Sequence, residues 1–322
     1  MNYKKMRGKK SFVAPAAISG LLWLLSCSSG FSAEMSRQEF FVETQKDAKL
    51  LVIAKTPAKG AIGKAVLLVH GSGVGYEYWD IPIRDYSIMD YLAQRGIDVY
   101  AVQCRGYGES SKPNGMQVNA ASIASDLKAV VAAVAKRSGV SRVSLVGHSS
   151  GGTAVLVAAG TYPDLLDRMV LMGTRYKKVN PQFVAYATKV IDAAKEPGKD
   201  YVANTHYLDV QKRLDAYDED VVSWYKKLVA EKYGLMPGGI YPDSVLNNPA
   251  EPFVSAMKIP TLILNGSREY VVDLADNNAM FADFGTPDKA MVIHPGGYHL
   301  MFLEKTGHVA IQEALYFWLS KK

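Results

Sequence analysis

Cysteine is scarce in this sequence, and several chemical motifs are missing altogether. Only Cys27 and Cys104 occur among 322 residues, which excludes a small module held together by disulfides. With 48% hydrophobic and 21% charged residues, the chain is neither intrinsically disordered nor collagen-like. It contains no metal-ligand spacing, phosphate loop or dinucleotide fingerprint, so we expect no metal and no cofactor. The length allows one large α/β domain or two ordinary domains.

Acidic residues are absent from the first 26 positions, whereas five basic residues lie within the first ten. An apolar run from Phe12 to Leu25 follows, and small residues such as Ser26 and Ser28 come after it. A basic start, a short apolar stretch and a small-residue region are typical of an export signal, which we assign to residues 1–33. The run is shorter than the ~20 residues of a comfortable membrane span, so an uncleaved anchor is the weaker alternative.

The segment LLSC, which ends at Cys27, resembles a lipoprotein processing box. In such a box the cysteine becomes the lipidated first residue of the mature chain. Ordinary cleavage after Ala33 is the alternative, but Phe31 stands where that cleavage requires a small residue. We therefore expect an exported protein, either a lipoprotein attached to a membrane through Cys27 or a periplasmic or secreted protein.

The formal net charge of +6 falls to +1 when the five basic residues of the export signal are removed. The positive charge therefore belongs to export, and we expect no nucleic-acid partner. The mature chain keeps only Cys104 and cannot form an intrachain disulfide. Its oligomeric state is not set by any sequence feature.

Strand-like and helix-like segments alternate through most of the chain. Continuous aliphatic runs, which indicate strands buried on both faces, lie at Ala65–Gly71, Ile97–Gly106, Arg142–Ser149, Arg168–Gly173, Thr261–Asn265 and Ala290–His294. Helical spacing occurs at Trp79–Gln94, Ser122–Lys136, Ser150–Gly160, Asp273–Phe281 and His308–Leu319. The alternation predicts an α/β fold with a mostly parallel central sheet flanked by helices.

Between residues 177 and 257 this alternation stops. Helical pieces at Gln182–Lys195 and Val221–Tyr233 are followed by clustered glycines and prolines. We interpret the segment as a helical lid inserted into one α/β domain, whose two parts are residues 34–176 and 258–322. Asp218 or Asp220 is expected to cap the second helix.

The motif GHSSG, residues 147–151, lies between a predicted buried strand and a predicted helix. This is the nucleophile elbow pattern, in which a sharp turn exposes a serine hydroxyl at the carboxyl end of the strand. Gly147 and Gly151 flank the turn because it leaves no room for larger side chains. Ser149 is therefore the predicted nucleophile.

Acyl transfer at a serine also needs two backbone N–H donors for the developing oxyanion. HGSGVG, residues 70–75, follows the first strong strand, and its glycines let the backbone approach a substrate closely. We expect the N–H groups of Ser72 and Ser150 to form the oxyanion hole, with Gly73 as the alternative to Ser72. His70 is expected to fix the loop by hydrogen bonding.

The serine needs a base, and the base needs an orienting carboxylate. In elbow hydrolases these residues follow in the order serine, acid, histidine. His299 lies in a glycine-containing loop after the last strand and is the predicted base, whereas His308 is expected on the surface. Glu269 is the predicted acid, because Asp273 is better explained as a helix N-cap. Asp273 remains the alternative acid.

The motifs HGSG, RGYGES, GHSSGG, IPTLILNGSRE and GGYHLMFLE occur in that order. The chain thereby resembles the α/β-hydrolase superfamily of serine esterases, lipases and proline-type aminopeptidases, from about residue 65 to residue 322. The resemblance implies the α/β-hydrolase fold with a variable lid. Members usually carry Asp where this chain has Glu269, and many carry Asp in the segment of Gln103 and Cys104. Glu304 matches a common position and is expected to brace the loop of His299.

Together, the residues and the resemblance predict a serine hydrolase that cleaves a small-molecule carboxylic ester. Aromatic residues in the lid favour an apolar acyl or alcohol group. An amide or peptide hydrolase of the proline-aminopeptidase type is the first alternative, with Glu219, Asp220 and Glu231 as candidates to bind a free amine. A non-catalytic binding protein on the same fold is the second, and the complete serine, acid and histidine set argues against it.

We predict that cells incorporate a labelled fatty acid into the full chain, and that Cys27→Ala abolishes this labelling because it removes the acceptor thiol. Lipid extraction followed by gel autoradiography measures the incorporation. Equal labelling of the two proteins would contradict the lipoprotein interpretation.

Overall fold

An eight-stranded sheet runs through the part of the chain that the computed structural model describes, which is residues 35–44, 48–178, 180–205 and 207–321. The predicted export signal with Cys27 lies outside the described residues, as does His206. The described residues contain ten strands, of which β7 and β8 form a separate pair outside this sheet. They are β1 (Met35–Glu43), β2 (Lys49–Pro57), β3 (Ala65–Val69), β4 (Asp98–Val102), β5 (Val143–His148), β6 (Leu166–Met172), β7 (Tyr201–Ala203), β8 (Leu235–Pro237), β9 (Thr261–Gly266) and β10 (Lys289–His294).

The sheet has the strand order β1-β2-β4-β3-β5-β6-β9-β10. β1 and β2 pair antiparallel, as do β2 and β4, whereas the remaining neighbours are parallel. Every residue of β3 and β5 is buried, as expected for strands covered on both faces. The predicted fold class, a mostly parallel sheet flanked by helices, is confirmed.

Nine α-helices occur within the described ranges: α1 (Ile88–Ala93), α2 (Ala120–Ser138), α3 (Ser150–Thr161), α4 (Pro181–Ala194), α5 (Glu219–Lys232), α6 (Ile240–Pro242), α7 (Glu251–Val254), α8 (Leu274–Asp283) and α9 (Gly307–Leu319). α2 packs on α3, and α1 packs on α9. Asn119 begins α2 with a capping box, and Gly139 ends it in the left-handed conformation. In the described part of the chain, no helix combines the length and apolar character that crossing a membrane requires.

The helix predicted at Trp79–Gln94 is wrong over most of its length. A short 3₁₀ turn at Tyr76–Trp79 is followed by irregular backbone, and α1 begins only at Ile88. Pro82 has no N–H to donate to a helix, and Arg84 has a left-handed φ of 48°. Ser87 then starts α1 by accepting the N–H of Asp90 at 3.0 Å, so the helix begins where its cap stands.

The segment between β6 and β9 contains α4 to α7 and an antiparallel pair, β7 and β8, that the sequence did not indicate. β6 and β9 are neighbours in the sheet, so the chain leaves and re-enters the sheet at one place. Asp218 stands at the N-cap position of α5, but its carboxylate makes no capping hydrogen bond. It accepts instead from Arg84 at 2.6 Å, and Asp220 accepts from the same guanidinium at 2.6 Å. The expected cap is therefore a link between the insertion and the segment before α1.

Candidate active site

The turn between β5 and α3 holds Ser149 in a strained backbone conformation. Its φ of 55° and ψ of −123° lie in a region that side-chain-bearing residues rarely adopt. The N–H of Ser149 donates to the carbonyl of Met172 at 2.8 Å, which ties the turn to β6. A Cβ atom at Gly151 would lie 2.4 Å from the carbonyl oxygen of His70, so only glycine allows α3 to start this close to β3. The sequence pattern thus forms a sharp strand–turn–helix.

The structure brings His299 and Glu269 together. Nδ1 of His299 lies 2.9 and 3.0 Å from the two carboxylate oxygens of Glu269, and the two side chains are 8% and 1% exposed. The N–H of Val271 donates to the same carboxylate at 2.8 Å. This bond holds in place the side chain of Glu269, which is longer than that of the aspartate usual at this position. With Nδ1–H bound to the carboxylate, Nε2 of His299 is left as the proton acceptor. Asp273 instead accepts the N–H of Ala275 at 2.9 Å as the N-cap of α8.

The loop after β3 is fixed by His70, as its sequence position suggested. Nε2 of His70 accepts the N–H of Cys104 at 3.0 Å, so its hydrogen lies on Nδ1 and is donated to the carbonyl of Gly71 at 2.7 Å. Burial lowers the pKa of His70 to about 4, which keeps the ring neutral. Because a trans peptide is planar, this bond also sets the direction of the Ser72 N–H. The N–H of Ser150 is the other expected donor, and it lies in the first turn of α3, where N–H groups have no acceptor within the helix.

An apolar cleft of about 510 Å³, including its mouth, opens beside these groups. Ser149 and His299 lie on its floor, and its walls carry aromatic and aliphatic side chains, namely Phe183, Tyr225, Tyr270, Val271 and Leu300. Phe183 belongs to α4 and Tyr225 to α5, so the insertion forms part of the wall. A polar floor under apolar walls is the usual composition of a small-molecule site.

Residues 61–306 match the family model described as serine aminopeptidase, S33. The chain is an α/β hydrolase of this family. It is similar to a monoacylglycerol lipase of Mycolicibacterium smegmatis, with 26% identity over 247 residues that cover 74% of this chain and 82% of that protein. A 2-hydroxy-6-oxononadienedioate/2-hydroxy-6-oxononatrienedioate hydrolase of Burkholderia vietnamiensis is 36% identical over 115 residues, which are 35% of this chain and 37% of that protein.

The fold of the hydrolase is also similar to that of a thermophilic esterase from Thermogutta terrifontis. The two structures agree with a TM-score of 0.65 over 88% of this chain and 98% of that one, at 21% sequence identity. At this identity the likeness shows the fold alone. The chain spans little more than a third of the Burkholderia protein's length.

A chain of buried hydrogen bonds that the sequence did not reveal connects the loops around Ser149. The Gly71 N–H donates to the Tyr78 hydroxyl at 2.8 Å, so that hydroxyl directs its own hydrogen to Nδ1 of His148, 3.3 Å away. His148 then carries its hydrogen on Nε2 and donates it to the backbone carbonyl of His299 at 3.0 Å. In the hydrolase, His148, the residue before Ser149, thus joins the loop after β3 to the loop of His299.

Glu304 holds the other side of the His299 loop. One carboxylate oxygen accepts the N–H groups of Tyr298 at 3.0 Å and Asp215 at 3.2 Å, which joins this loop to the insertion. Burial raises the pKa of Glu304 to about 7. Glu304 therefore braces the loop of His299, as its position in the sequence suggested. It also contacts the insertion at Asp215, which the sequence did not indicate.

The expected surface position of His308 is wrong. The ring is buried, hydrogen-bonds through Nδ1 to the carbonyl of Glu304 at 2.7 Å, and stacks on Tyr86 at 3.7 Å. His308 shares the buried face of α9 with Ile311, Gln312 and Leu315. That spacing of three, four and seven residues is the helical signal that could have identified it.

Gly173 is a further site residue that the sequence did not indicate. It has a φ of 53°, and a Cβ atom there would lie 2.8 Å from the imidazole of His299. Glycine is therefore required both by the backbone conformation and by the space that the histidine occupies.

Burial also lowers the pKa of His148 well below its usual value, with the nearby His299 ring as a second cause. Acid then protonates this histidine in the unfolded chain before it does so in the folded hydrolase, so stability present above pH 6.5 is lost as the pH falls below it. We predict that lowering the pH from 7.5 to 5.5 reduces the unfolding free energy of the wild type by about 1.4 kcal/mol more than that of His148→Gln. Urea denaturation at the two pH values measures the difference, and an equal loss in both proteins would contradict the burial of a neutral His148.

Proposed function

We propose that the hydrolase cleaves carboxylic esters of small molecules by two-step acyl transfer. Ser149 is the nucleophile, His299 the general base and Glu269 the carboxylate that orients the base. The observation that carries this proposal is the hydrogen bond between Glu269 and Nδ1 of His299 in the cleft that also holds the strained Ser149. A histidine oriented by a carboxylate is the base that a serine needs near neutral pH, and Ser149 and His299 line the same cleft.

In the acylation step, the hydroxyl oxygen of Ser149 attacks the ester carbonyl carbon while Nε2 of His299 takes the hydroxyl proton. The carboxylate of Glu269 stabilises the imidazolium that forms. The negative charge on the former carbonyl oxygen is stabilised by the N–H groups of Ser72 and Ser150, helped by the positive end of α3. When the tetrahedral intermediate collapses, the bond to the alcohol oxygen breaks and His299 donates its proton to that oxygen, which releases the alcohol.

In the deacylation step, a water molecule replaces the alcohol. His299 takes a proton from the water as its oxygen attacks the acyl carbon, and the same two N–H groups stabilise the second tetrahedral intermediate. Ser149 leaves with the proton from His299, the acid product departs, and the starting state is restored.

The apolar cleft walls favour a substrate with an apolar acyl or alcohol group, because that group leaves water when it contacts Phe183, Tyr225 and Leu300. The name of one similar protein, a monoacylglycerol lipase, supports a carboxylic ester over other acyl compounds.

An aminopeptidase activity would require acidic side chains in the cleft to bind a free amine. The three candidates on α5 do not provide them in the described structure: Asp220 is bound to Arg84, and neither Glu219 nor Glu231 lines the cleft. The amide alternative is therefore the weaker one, and a paired panel of an ester and an aminoacyl amide separates the two activities.

We predict that Ser149→Ala lowers kcat for p-nitrophenyl butyrate by about 10⁴–10⁶-fold, because no other group can form the acyl-enzyme. Glu269→Gln should lower it by about 10⁴-fold, because the amide favours the wrong tautomer of His299. Asp273→Asn is the matched control, since asparagine also caps helices, and it should stay within about threefold of wild type. A greater loss in Asp273→Asn than in Glu269→Gln would transfer the acid role to Asp273.

A fluorophosphonate probe tests the non-catalytic alternative. The probe should label the wild type and leave Ser149→Ala unlabelled, because it reacts only with an activated serine. Absence of labelling in the wild type would favour a binding protein that kept the fold.

A further inference from the structure

A second pocket, which is open to solvent and has about 360 Å³ of empty space with its mouth included, adjoins Ser149 on the side of the first turn of α3. It shares Ser72, Ser149, Phe183 and Val271 with the apolar cleft, and its polar lining comprises Ser72, Ser149, Ser150, Thr153 and Arg175. Arg175 is the cationic side chain among the described residues that line it. A substrate held at Ser149 therefore adjoins both the apolar cleft and a polar pocket with one positive charge.

Arg175 is half-buried, and no carboxylate of the described residues lies within ion-pair distance of it. One terminal nitrogen, Nη1, donates to the backbone carbonyl of Asp243 at 3.0 Å. Nε is buried and has no acceptor within the described part of the chain. Removing a guanidinium from water without a partner is unfavourable, so the charge is balanced when an anion enters the pocket.

The acids nearest to Arg175 are already occupied. Asp276 accepts the N–H groups of Tyr176, Lys177 and Lys178, each at 2.7 Å. The carboxylate of Asp243 accepts the N–H of Ala120 at 2.8 Å and the side-chain amide of Asn247 at 2.9 Å.

Glu251, the third acid that acts on Arg175, lies 4.0 Å from Lys177. Burial lowers the pKa of Arg175 despite these acids, which is consistent with a cation that is only partly compensated by the protein.

We propose that the hydrolase is specific for esters that carry a second, ionised carboxylate group, which Arg175 binds while the scissile ester lies at Ser149. The inference rests on the proposed ester hydrolysis and adds the chemical class of the substrate. A planar guanidinium matches a planar carboxylate in shape and hydrogen bonding. A single cation in the pocket balances a monoanion, which favours a carboxylate over a phosphate dianion.

Two pairs of esters test the proposal, because the carboxylate can lie on the acyl or on the alcohol side. Ethyl hydrogen glutarate is compared with ethyl valerate, and 4-(butanoyloxy)butanoate with butyl butanoate, at pH 7.5 by chromatography of the products. In at least one pair, we expect the wild type to show a higher kcat/KM for the anionic ester. Arg175→Gln should lower the ratio of anionic to neutral kcat/KM about 10–100-fold, the usual loss of a hydrogen bond to a charged group.

Two further variants separate a local contact from a general charge effect. Arg175→Lys keeps the charge but not the planar donors and should restore part of the ratio. Lys189→Gln removes an exposed positive charge from α4, outside the pocket, and should leave the ratio at the wild-type value because exposed charges are screened.

The outcomes distinguish the two proposals. If the wild type hydrolyses neither member of either pair, nor p-nitrophenyl butyrate, ester hydrolysis itself fails. If it hydrolyses the neutral esters at least as well as the anionic ones in both pairs, or if Arg175→Gln lowers both members equally, the carboxylate specificity is overturned while ester hydrolysis stands.

Discussion

The backbone of Ser149 is held in a conformation that costs about 1–3 kcal/mol, and the arrangement of the site depends on it. Neighbouring structure must supply that energy. β5 lies between β3 and β6 with all its residues buried, and the carbonyl of Met172 on β6 takes the N–H of Ser149. The parallel sheet therefore fixes the turn from both sides. The turn also sets where α3 starts, which places the Ser150 N–H.

Two neutral histidines then fix the positions of two neighbouring loops, the loop after β3 and the loop of His299. His70 orients the peptide between Gly71 and Ser72, and His148 holds the backbone of His299. Buried hydrogen bonds are strong in a low dielectric, and each unmet donor or acceptor is costly, so the two rings have one tautomer each. A protonated ring would turn an acceptor into a second donor and break its chain of bonds. Burial that keeps the rings neutral is thus a condition for the positions of the loop after β3 and of His299.

The sequence sufficed for features that depend on local pattern. The aliphatic runs located the parallel strands, the small residues around Ser149 indicated the elbow, and the N-cap preference separated Asp273 from Glu269. Several contacts between distant segments escaped it. Tyr78 meets His148 across 70 positions, and nothing near either residue encodes that contact. Arg175 could not be recognised as a pocket residue from the sequence, because the same pocket is lined by residues of α3 and α4. The helix predicted through Pro82 is an error of the opposite kind, in which a local pattern was misread. The apolar spacing was given more weight than the missing backbone N–H of Pro82.

Polar contacts hold both ends of α5, while the buried apolar residues of the insertion belong to the same hydrophobic core as the sheet domain. Arg84 binds two carboxylates at the start of α5, and at its end Lys232 binds Glu77 at 2.7 Å while Tyr233 donates to the same carboxylate. Exposed ion pairs contribute only about 0–1 kcal/mol each, but the second cluster is mostly buried and its members share partners. The cleft residues Phe183 and Tyr225 are thus carried by a segment that both apolar packing and polar contacts attach to the sheet domain. Ser149, Glu269 and His299 instead lie on the turn after β5 and on the loops after β9 and β10, so these residues and the insertion's part of the cleft wall are held by different parts of the fold.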